Sequence, residues 1–401
     1  MNKKKWVRFR HRVVRNLLRV VIGPYSRIKY GIRVERFHEQ KKGPYLILLN
    51  HQTPFDQFFV GLAFKGPVYY LATEDIFSNG WVSSLIRFLV APIPIKKQTA
   101  DVRAIMNCIR VANEGGAISI APEGNRTYSG RTEYMNPTIA PLARKLGMPI
   151  ALFRIEGGYG VQPRWSDVVR KGKMRGYVSR VISPEEYKEM SDSELYLAIK
   201  DGLYVNEANV DGEYRHKKCA EYLERAIYTC PTCGFSEIFS SGNTVTCKKC
   251  GMRIRYTPTK ELIGEGFDFP FRFVQDWYDY QTKFVNRTDT SSMTSEPVFL
   301  DTGTVKEVIP NKKKIPVSSS ATLSLFGDRI KIVGDGIDLV VPFSDAGAIT
   351  VLGRNKLNIY YGGRILQIKG TKRFCALKYV QFFHRHNNIL RGQENEQFLG
   401  L

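Results

Sequence analysis

Tyr45-Leu-Ile-Leu-Leu49-Asn-His51-Gln-Thr-Pro-Phe-Asp56 is the stretch whose reading decides the fold. The short apolar run Tyr45–Leu49 reads as a strand that feeds a loop at Asn50. A residue just past the C-terminal end of a strand is well placed for chemistry in an α/β fold. Thr53-Pro54 then resembles an N-cap followed by proline in the first helical turn, with Asp56 as the third helical residue. In a regular helix His51 and Asp56 would lie about 140° apart. A pre-helical turn can instead fold His51 back within hydrogen-bond reach of the Asp56 carboxylate. Thr53-x-x-Asp56 also reads as a plain capping box, in which Asp56 only satisfies a backbone N–H.

Working outward, residues 44–182 alternate short apolar runs with helical stretches. Residues 45–49, 68–71, 117–120 and 150–155 read as strands. Residues 57–64, 79–90, 100–114 and 138–147 read as helices. The alternation predicts an α/β domain with a largely parallel sheet. Ser183-Pro-Glu-Glu186 opens a further helical segment, read as running to 226 and ending the domain.

A second cluster, Pro122-Glu123-Gly124-Asn125-Arg126, follows the predicted strand 117–120. Glycine in such a turn lets backbone approach a ligand closely. Arg126 offers a planar, permanently charged fork suited to phosphate. Glu123 can orient Arg126 or bind an acceptor hydroxyl. Alone, the pentapeptide reads more readily as a turn with a surface ion pair. Its order and spacing relative to His51 and Asp56 give it weight.

The chain has 401 residues, 43 % of them apolar, and a formal charge of +22. It is long enough for two or three domains and apolar enough to pack a core. The charge suits an anionic partner, membrane surface or nucleic acid. It is concentrated at the N-terminus: residues 1–42 hold fourteen basic against two acidic residues, a net of +12. Residues 6–22 read as a helix with Arg8, Arg12, Arg15 and Arg19 in one stripe. Val7, Val14, Leu18 and Val21 lie on a separate face, flanked by Trp6, Val13 and Leu17, and Gly23-Pro24 ends the helix. Such a helix can lie in a membrane interface. No apolar run reaches the length of a membrane span, and no cleaved secretory signal is expected.

Cys230-Pro-Thr-Cys233, thirteen residues, then Cys247-Lys-Lys-Cys250 form two C-x-x-C knuckles, each followed by glycine. Two knuckles complete a tetrahedral thiolate site for Zn²⁺. Four thiolates fill the coordination sphere, so the zinc is expected to be structural. Cys108, Cys219 and Cys375 read as ordinary thiols. Beyond residue 297 short alternating strands recur (322–325, 329–333, 338–342, 349–352, 356–361 and 364–369), and an amphipathic helix closes the chain at 371–388. That order predicts a small β-barrel or sandwich with a terminal helix, resembling the pleckstrin-homology architecture by pattern only.

Taken together, Asn50-His51…Asp56 and Pro122-Glu-Gly-x-Arg126 resemble the first and third motifs of the glycerolipid acyltransferase family, best known for 1-acylglycerol-3-phosphate acyltransferases. The resemblance covers roughly residues 10–210. It implies His51 as the base and Asp56 as its orienter, with Lys97, Glu123, Gly124 and Arg126 binding the acceptor. Lys97 stands where the family has an arginine, in a segment where Ala91 and Pro94 replace its glycine and phenylalanine. Leu152 replaces a proline of the fourth motif and Asn125 a threonine of the third.

The expected organisation is a basic amphipathic membrane-docking segment at 1–43, an α/β acyltransferase domain at 44–226 and a zinc ribbon at 227–258. A connection follows at 259–296, then the β-rich domain at 297–401. The expected reaction moves an acyl group from acyl-CoA or acyl carrier protein to the hydroxyl of a lysophospholipid, with 1-acylglycerol-3-phosphate as first candidate. The expected partners are an anionic membrane surface, the lysophospholipid and the acyl donor, at the cytoplasmic face of the cell membrane. Two other readings compete: a retired acyltransferase that senses lipid or acts as a scaffold, and nucleic-acid binding through the ribbon. The ribbon carries Lys248, Lys249, Arg253 and Arg255, yet a recognition helix or aromatic single-strand platform is missing, so nucleic acid is not the expected partner.

Overall fold

The computed structural model describes residues 5–40, 43–78, 80–95, 101–310, 312–393 and 398–400. The chain forms two compact units. One comprises Met1–Pro163, Val169–Arg215 and Pro310–Lys312; the other comprises Arg164–Val168, His216–Ile309 and Lys313–Leu401.

The first unit opens with α1 (Phe9–Tyr30), β1 (Ile32–Val34) and β2 (Leu46–Leu49). It continues through α2 (Asp56–Ala63), β3 (Val68–Thr73), α3 (Trp81–Leu89), β4 (Ile93–Ile95), α4 (Val102–Asn113) and β5 (Ala117–Ile120). Then come α5 (Ile139–Leu146), β6 (Ile150–Glu156), α6 (Gly158–Val161), β7 (Met174–Ile182), α7 (Pro184–Lys188) and α8 (Asp192–Leu203). The strands form one sheet in the order β1-β7-β6-β2-β5-β3-β4. All neighbours are parallel except β6 and β7.

β2 is central because it is apolar on both faces. Successive side chains of a strand point to opposite sides. Leu46 and Leu48 join a cluster with Ile118, Ile150 and Leu152, closed by Val111 of α4, Ala143 of α5 and Ile199 of α8. Ile47 and Leu49 join another with Ala151 and Phe153, closed by Phe59 and Val60 of α2. The sheet is thus sandwiched between helices, as the alternation predicts.

Three sequence expectations change. The first helix does not stop at Gly23-Pro24: it runs through Pro24 and ends at Gly31, whose φ is 63°. Proline removes one N–H, and the Val20 carbonyl it deserts lies on the exposed side, where water can satisfy it. Gly31 is required at the end, because a Cβ there would meet the Gly172 carbonyl oxygen at 2.0 Å. The faces of this helix also differ from expectation. Trp6, just ahead of it, and Val7 pack against the core, and Arg15 donates to the carbonyls of Gly61 and Phe64. Phe9, Val13, Leu17, Val20, Val21 and Ile28 face outward. Finally, Ser183 caps α7 as expected, but no α-helix follows α8 before residue 226 among the described residues; only short 3-10 turns do.

The second unit begins with β8 (Thr229–Cys230), β9 (Gly234–Phe235), β10 (Ile238–Ser241), β11 (Thr244–Cys247), β12 (Arg253–Tyr256) and β13 (Leu262–Gly264). β8 pairs with β9, and β10 to β13 form a four-stranded sheet. After α9 (Val274–Arg287) come β14 (Phe299–Ile309), β15 (Lys313–Leu325), β16 (Arg329–Gly334), β17 (Ile337–Pro342), β18 (Ala348–Leu352), β19 (Lys356–Tyr361), β20 (Arg364–Gly370) and α10 (Ala376–Leu390). These strands make one antiparallel sheet in the order β17-β16-β15-β14-β20-β19-β18. Register shifts between Gly303 and Lys306 bend the long β14–β15 hairpin. The result is a curled half-barrel with a terminal helix, whose Leu377, Val380 and Phe382 are buried.

Candidate active site

His51 stands two residues past β2, and Asp56 opens α2. The turn between them folds the imidazole back, so that Nδ1 lies 2.7 Å from Asp56 Oδ2. The Asp56 carboxylate is fully buried and receives three further donors. The Gln52 N–H donates to Oδ2 at 2.7 Å, the Thr53 N–H reaches both oxygens at 3.0 Å, and Thr53 Oγ1 donates to Oδ1 at 2.6 Å. The capping box and the His–Asp pair are therefore both present, on one carboxylate. Since a carboxylate only accepts, the His51 nitrogen facing it carries the proton and Nε2 keeps its lone pair. The His51 side chain is 25 % exposed, so an incoming group can reach the ring. The N–H groups of Gln52 and Thr53 are used on Asp56 and do not form an anion hole there.

The second cluster arrives by strand register. In the parallel pair β2–β5, Leu48 is matched with Ile120. Three residues further on, His51 and Glu123 face each other. The His51 N–H donates to Glu123 Oε1 at 2.7 Å, and Glu123 Oε2 receives the Glu133 N–H at 2.7 Å. The Thr127 N–H then donates to the His51 carbonyl at 3.1 Å. The loop 123–127 thus grips His51 by both backbone groups. Burial pushes the Glu123 carboxyl well above the ordinary carboxylate range, against the pull of the Glu133 and His51 N–H groups. Both Glu123 oxygens accept from backbone N–H groups, so Glu123 holds the main chain of His51 in place.

Gly124 sits at φ 68° in a turn closed by its N–H on the Ala121 carbonyl. A Cβ there would meet nothing within 4 Å; the left-handed backbone, not crowding, calls for glycine. Arg126 follows on the same loop, half-buried, two residues from the exposed Gly124. Lys97, expected to join Arg126, lies outside the described residues.

Three supporting residues carry no catalytic signature, and the sequence assigned none of them a role. The Asn50 side chain pairs with both backbone groups of Ile155, at 2.7 and 2.8 Å, locking the end of β2 to β6. Gln52 Oε1 accepts the Tyr159 N–H. Glu133 Oε1 accepts from Thr127 Oγ1 and Ser129 Oγ, stiffening the loop beyond Arg126.

In the second unit Cys230, Cys233, Cys247 and Cys250 bring their sulfurs within 4.8 Å of one another. Gly234 and Gly251 have φ of 73° and 76°, which let each knuckle turn back. Four clustered thiols with no other ligand type fit a closed tetrahedral zinc site. Cys219 lies outside the cluster and its thiol contacts the His216 carbonyl.

Residues 31–155 match the acyltransferase family model. The matched stretch begins at the end of α1 and holds His51, Asp56, Glu123 and Arg126. A later stretch, residues 223–260, matches a zinc-ribbon family described as the 7 kDa subunit of DNA-directed RNA polymerase. No curated protein matches the chain. Among solved structures, the 1-acyl-sn-glycerophosphate acyltransferase PlsC from Thermotoga maritima is 20 % identical, covering 47 % of this chain and 78 % of its own, with a TM-score of 0.40. The N-terminal PH domain of human ARAP2 is 14 % identical, covering 25 % of this chain and 88 % of its own, with a TM-score of 0.20.

Proposed function

We propose that the protein transfers a fatty acyl group from a thioester donor, acyl-CoA or acyl carrier protein, to the free hydroxyl of a lysophospholipid, with 1-acylglycerol-3-phosphate as the first acceptor to test. The observation that carries this reading is the His51–Asp56 pair with Nε2 left to accept. His51 Nε2 takes the proton of the acceptor hydroxyl as the oxygen bonds to the thioester carbonyl carbon. Asp56 holds the tautomer and stabilises the imidazolium. The tetrahedral intermediate collapses by breaking the C–S bond, and the imidazolium returns the proton to the departing thiolate. The ester and the free thiol leave, and the enzyme is regenerated. General-base assistance is worth about 10²–10⁴-fold in such a step. Arg126 supports a phosphate-bearing acceptor, because its guanidinium can hold phosphate oxygens in a bidentate manner.

The proposed workplace is the cytoplasmic face of the cell membrane, with the protein attached peripherally. No helix among the described residues is long and apolar enough to cross a membrane. The outward face of α1 supports surface attachment: Phe9 is 78 % exposed, Val20 74 % and Ile28 86 %. No acidic residue occurs in α1, which carries Arg10, Arg12, Arg15, Arg19, Arg27 and Lys29. The cysteine cluster is proposed to hold one structural zinc.

Two ribbon cations are already paired, Lys248 with Glu237 and Arg253 with Glu265, which weakens the nucleic-acid reading. A screen of glycerol-3-phosphate and several lysolipids with both donors tests the proposal. Transfer that requires His51 supports it, and no transfer to any acceptor would sink it.

A further inference from the structure

A surface helix normally turns its polar side to water and its apolar side to the core. α3 also turns large apolar side chains to water. Trp81, Leu85 and Phe88, at i, i+4 and i+7 on one face, are 76 %, 45 % and 55 % exposed, and Val82 beside them is exposed as well. The inward side carries Ser83, buried, its hydroxyl donated to the Ile76 carbonyl at 2.8 Å. Only one residue of α3 is charged, Arg87, and none is acidic. Large apolar side chains exposed together on one helix face mark an interaction site.

α3 is also fixed to the start of the chain. Arg10 of α1 lies 4.1 Å over the Phe88 ring and donates Nε to the Phe88 carbonyl at 2.9 Å. Trp6 Nε1 donates to the Ala91 carbonyl at 2.9 Å. Topology adds a third point. β3 runs parallel to β5, and β5 to β2. The chain therefore leaves β3 toward α3 at the same sheet edge where β2 delivers His51.

We infer that α3 is a second membrane-inserting element, a short interfacial helix that places Trp81, Leu85 and Phe88 among the lipid acyl chains, its Trp81 end toward the active-site edge. The inference rests on the membrane reading above. It commits to a lipid surface because the face combines an outward tryptophan with flanking arginines and no acid, the pattern of a helix lying among anionic headgroups. Docking through α3 would bring a lipid acceptor to His51 without first lifting it into water.

Depth-dependent quenching tests this on the full chain. Vesicles of phosphatidylcholine with phosphatidylglycerol, with and without brominated acyl chains, are added to the protein and to Trp81→Phe. Bromine should quench the emission that Trp81→Phe lacks. Leu85→Glu should weaken vesicle binding by about tenfold or more, while turnover of a short-chain, water-soluble acceptor stays unchanged. Vesicle-bound protein whose Trp81 emission is untouched by bromine would overturn the inference and leave the membrane reading standing. Failure of the whole protein to bind any vesicle would overturn both. Shielding of Trp81 by rising protein concentration alone would assign the face to a second copy of the chain and overturn the lipid assignment. An Leu85→Glu variant that binds vesicles normally but turns over slowly on the soluble acceptor would do the same, showing that the face supports the fold.

Discussion

The backbone N–H of His51 donates to the buried carboxylate of Glu123, and the parallel pairing of β2 with β5 brings the two loops that carry them to the same end of the sheet. The base is thus held from two sides: Asp56 fixes its ring, and Glu123 fixes its main chain. Glu123→Gln keeps the volume but turns an NH₂ toward one of the two N–H donors. Turnover should fall by about 100-fold through misplacement of the imidazole, with little change in acceptor KM. Circular dichroism and zinc content should match the wild type. A change confined to KM would return Glu123 to the acceptor pocket.

Asp56→Asn and His51→Ala should part company in a melting experiment. Asp56 caps α2 and orients His51, so Asp56→Asn should lose activity by roughly 10³–10⁴-fold and also stability, about 0.5–2 kcal/mol. His51→Ala should abolish transfer while leaving the midpoint of unfolding near that of the wild type. Turnover of His51→Ala within tenfold of wild type would remove it from the base role.

Arg126→Ala should raise the KM for a phosphate-bearing acceptor by roughly 10- to 150-fold, the equivalent of about 1.5–3 kcal/mol for a charge-assisted bond. The KM for the acyl donor should hardly move. Arg126→Lys should recover only part of the loss, since the forked geometry is gone. Steady-state kinetics with both substrates varied decide this, and an effect on the donor alone would reverse the assignment of the pocket.

Purified protein should carry one zinc per chain by elemental analysis. Cys230→Ser with Cys247→Ser should release it and speed amide exchange across β8 to β12. Iron in place of zinc, or no metal at all, would reject the assignment.

His11 gives α1 a pH dependence. It is buried, with Nδ1 2.9 Å from the Tyr69 hydroxyl and Nε2 without a partner. Burial, with Arg10 and Arg8 beside it, lowers its pKa below the ordinary 6.5. The unfolded segment therefore binds the proton more readily than the folded one. The contribution to stability is complete above pH 6.5 and shrinks as pH falls below that value. Amide exchange in α1 should accelerate between pH 7.5 and 5.5, and His11→Gln should flatten that response. Equal exchange rates at both values in the wild type would refute it.

The alternating pattern of residues 44–182 made the α/β core readable, because buried strands and amphipathic helices leave periodic traces. β1 and β7 left none: β1 is only three residues long, and β7 carries Arg175, Arg180 and Ser179 on a half-exposed surface. β14 was hidden by its polar alternation and its bulge. Within the site, His51, Asp56 and Arg126 stood out by residue type. Asn50 and Gln52 did not, since their partners are backbone groups as much as 107 residues away, and nothing local marks such contacts. Glu133 did not, since its carboxylate meets ordinary hydroxyls, those of Thr127 and Ser129. The outward face of α1 was misassigned because helical periodicity shows that two faces differ but not which one meets the protein.

One consequence lies in the order of synthesis. Residues Arg164–Val168 belong to the second unit although the chain on either side belongs to the first. Trp165, fully buried, meets Tyr256 edge-on, and Asp167 pairs with Arg225. On the ribosome this short excursion emerges well before either partner exists. The nascent first unit must wait with an unburied tryptophan, so a message truncated after Arg215 should yield a sticky, chaperone-dependent product, and genetic separation of the two halves should fail unless those five residues are replaced by a polar turn.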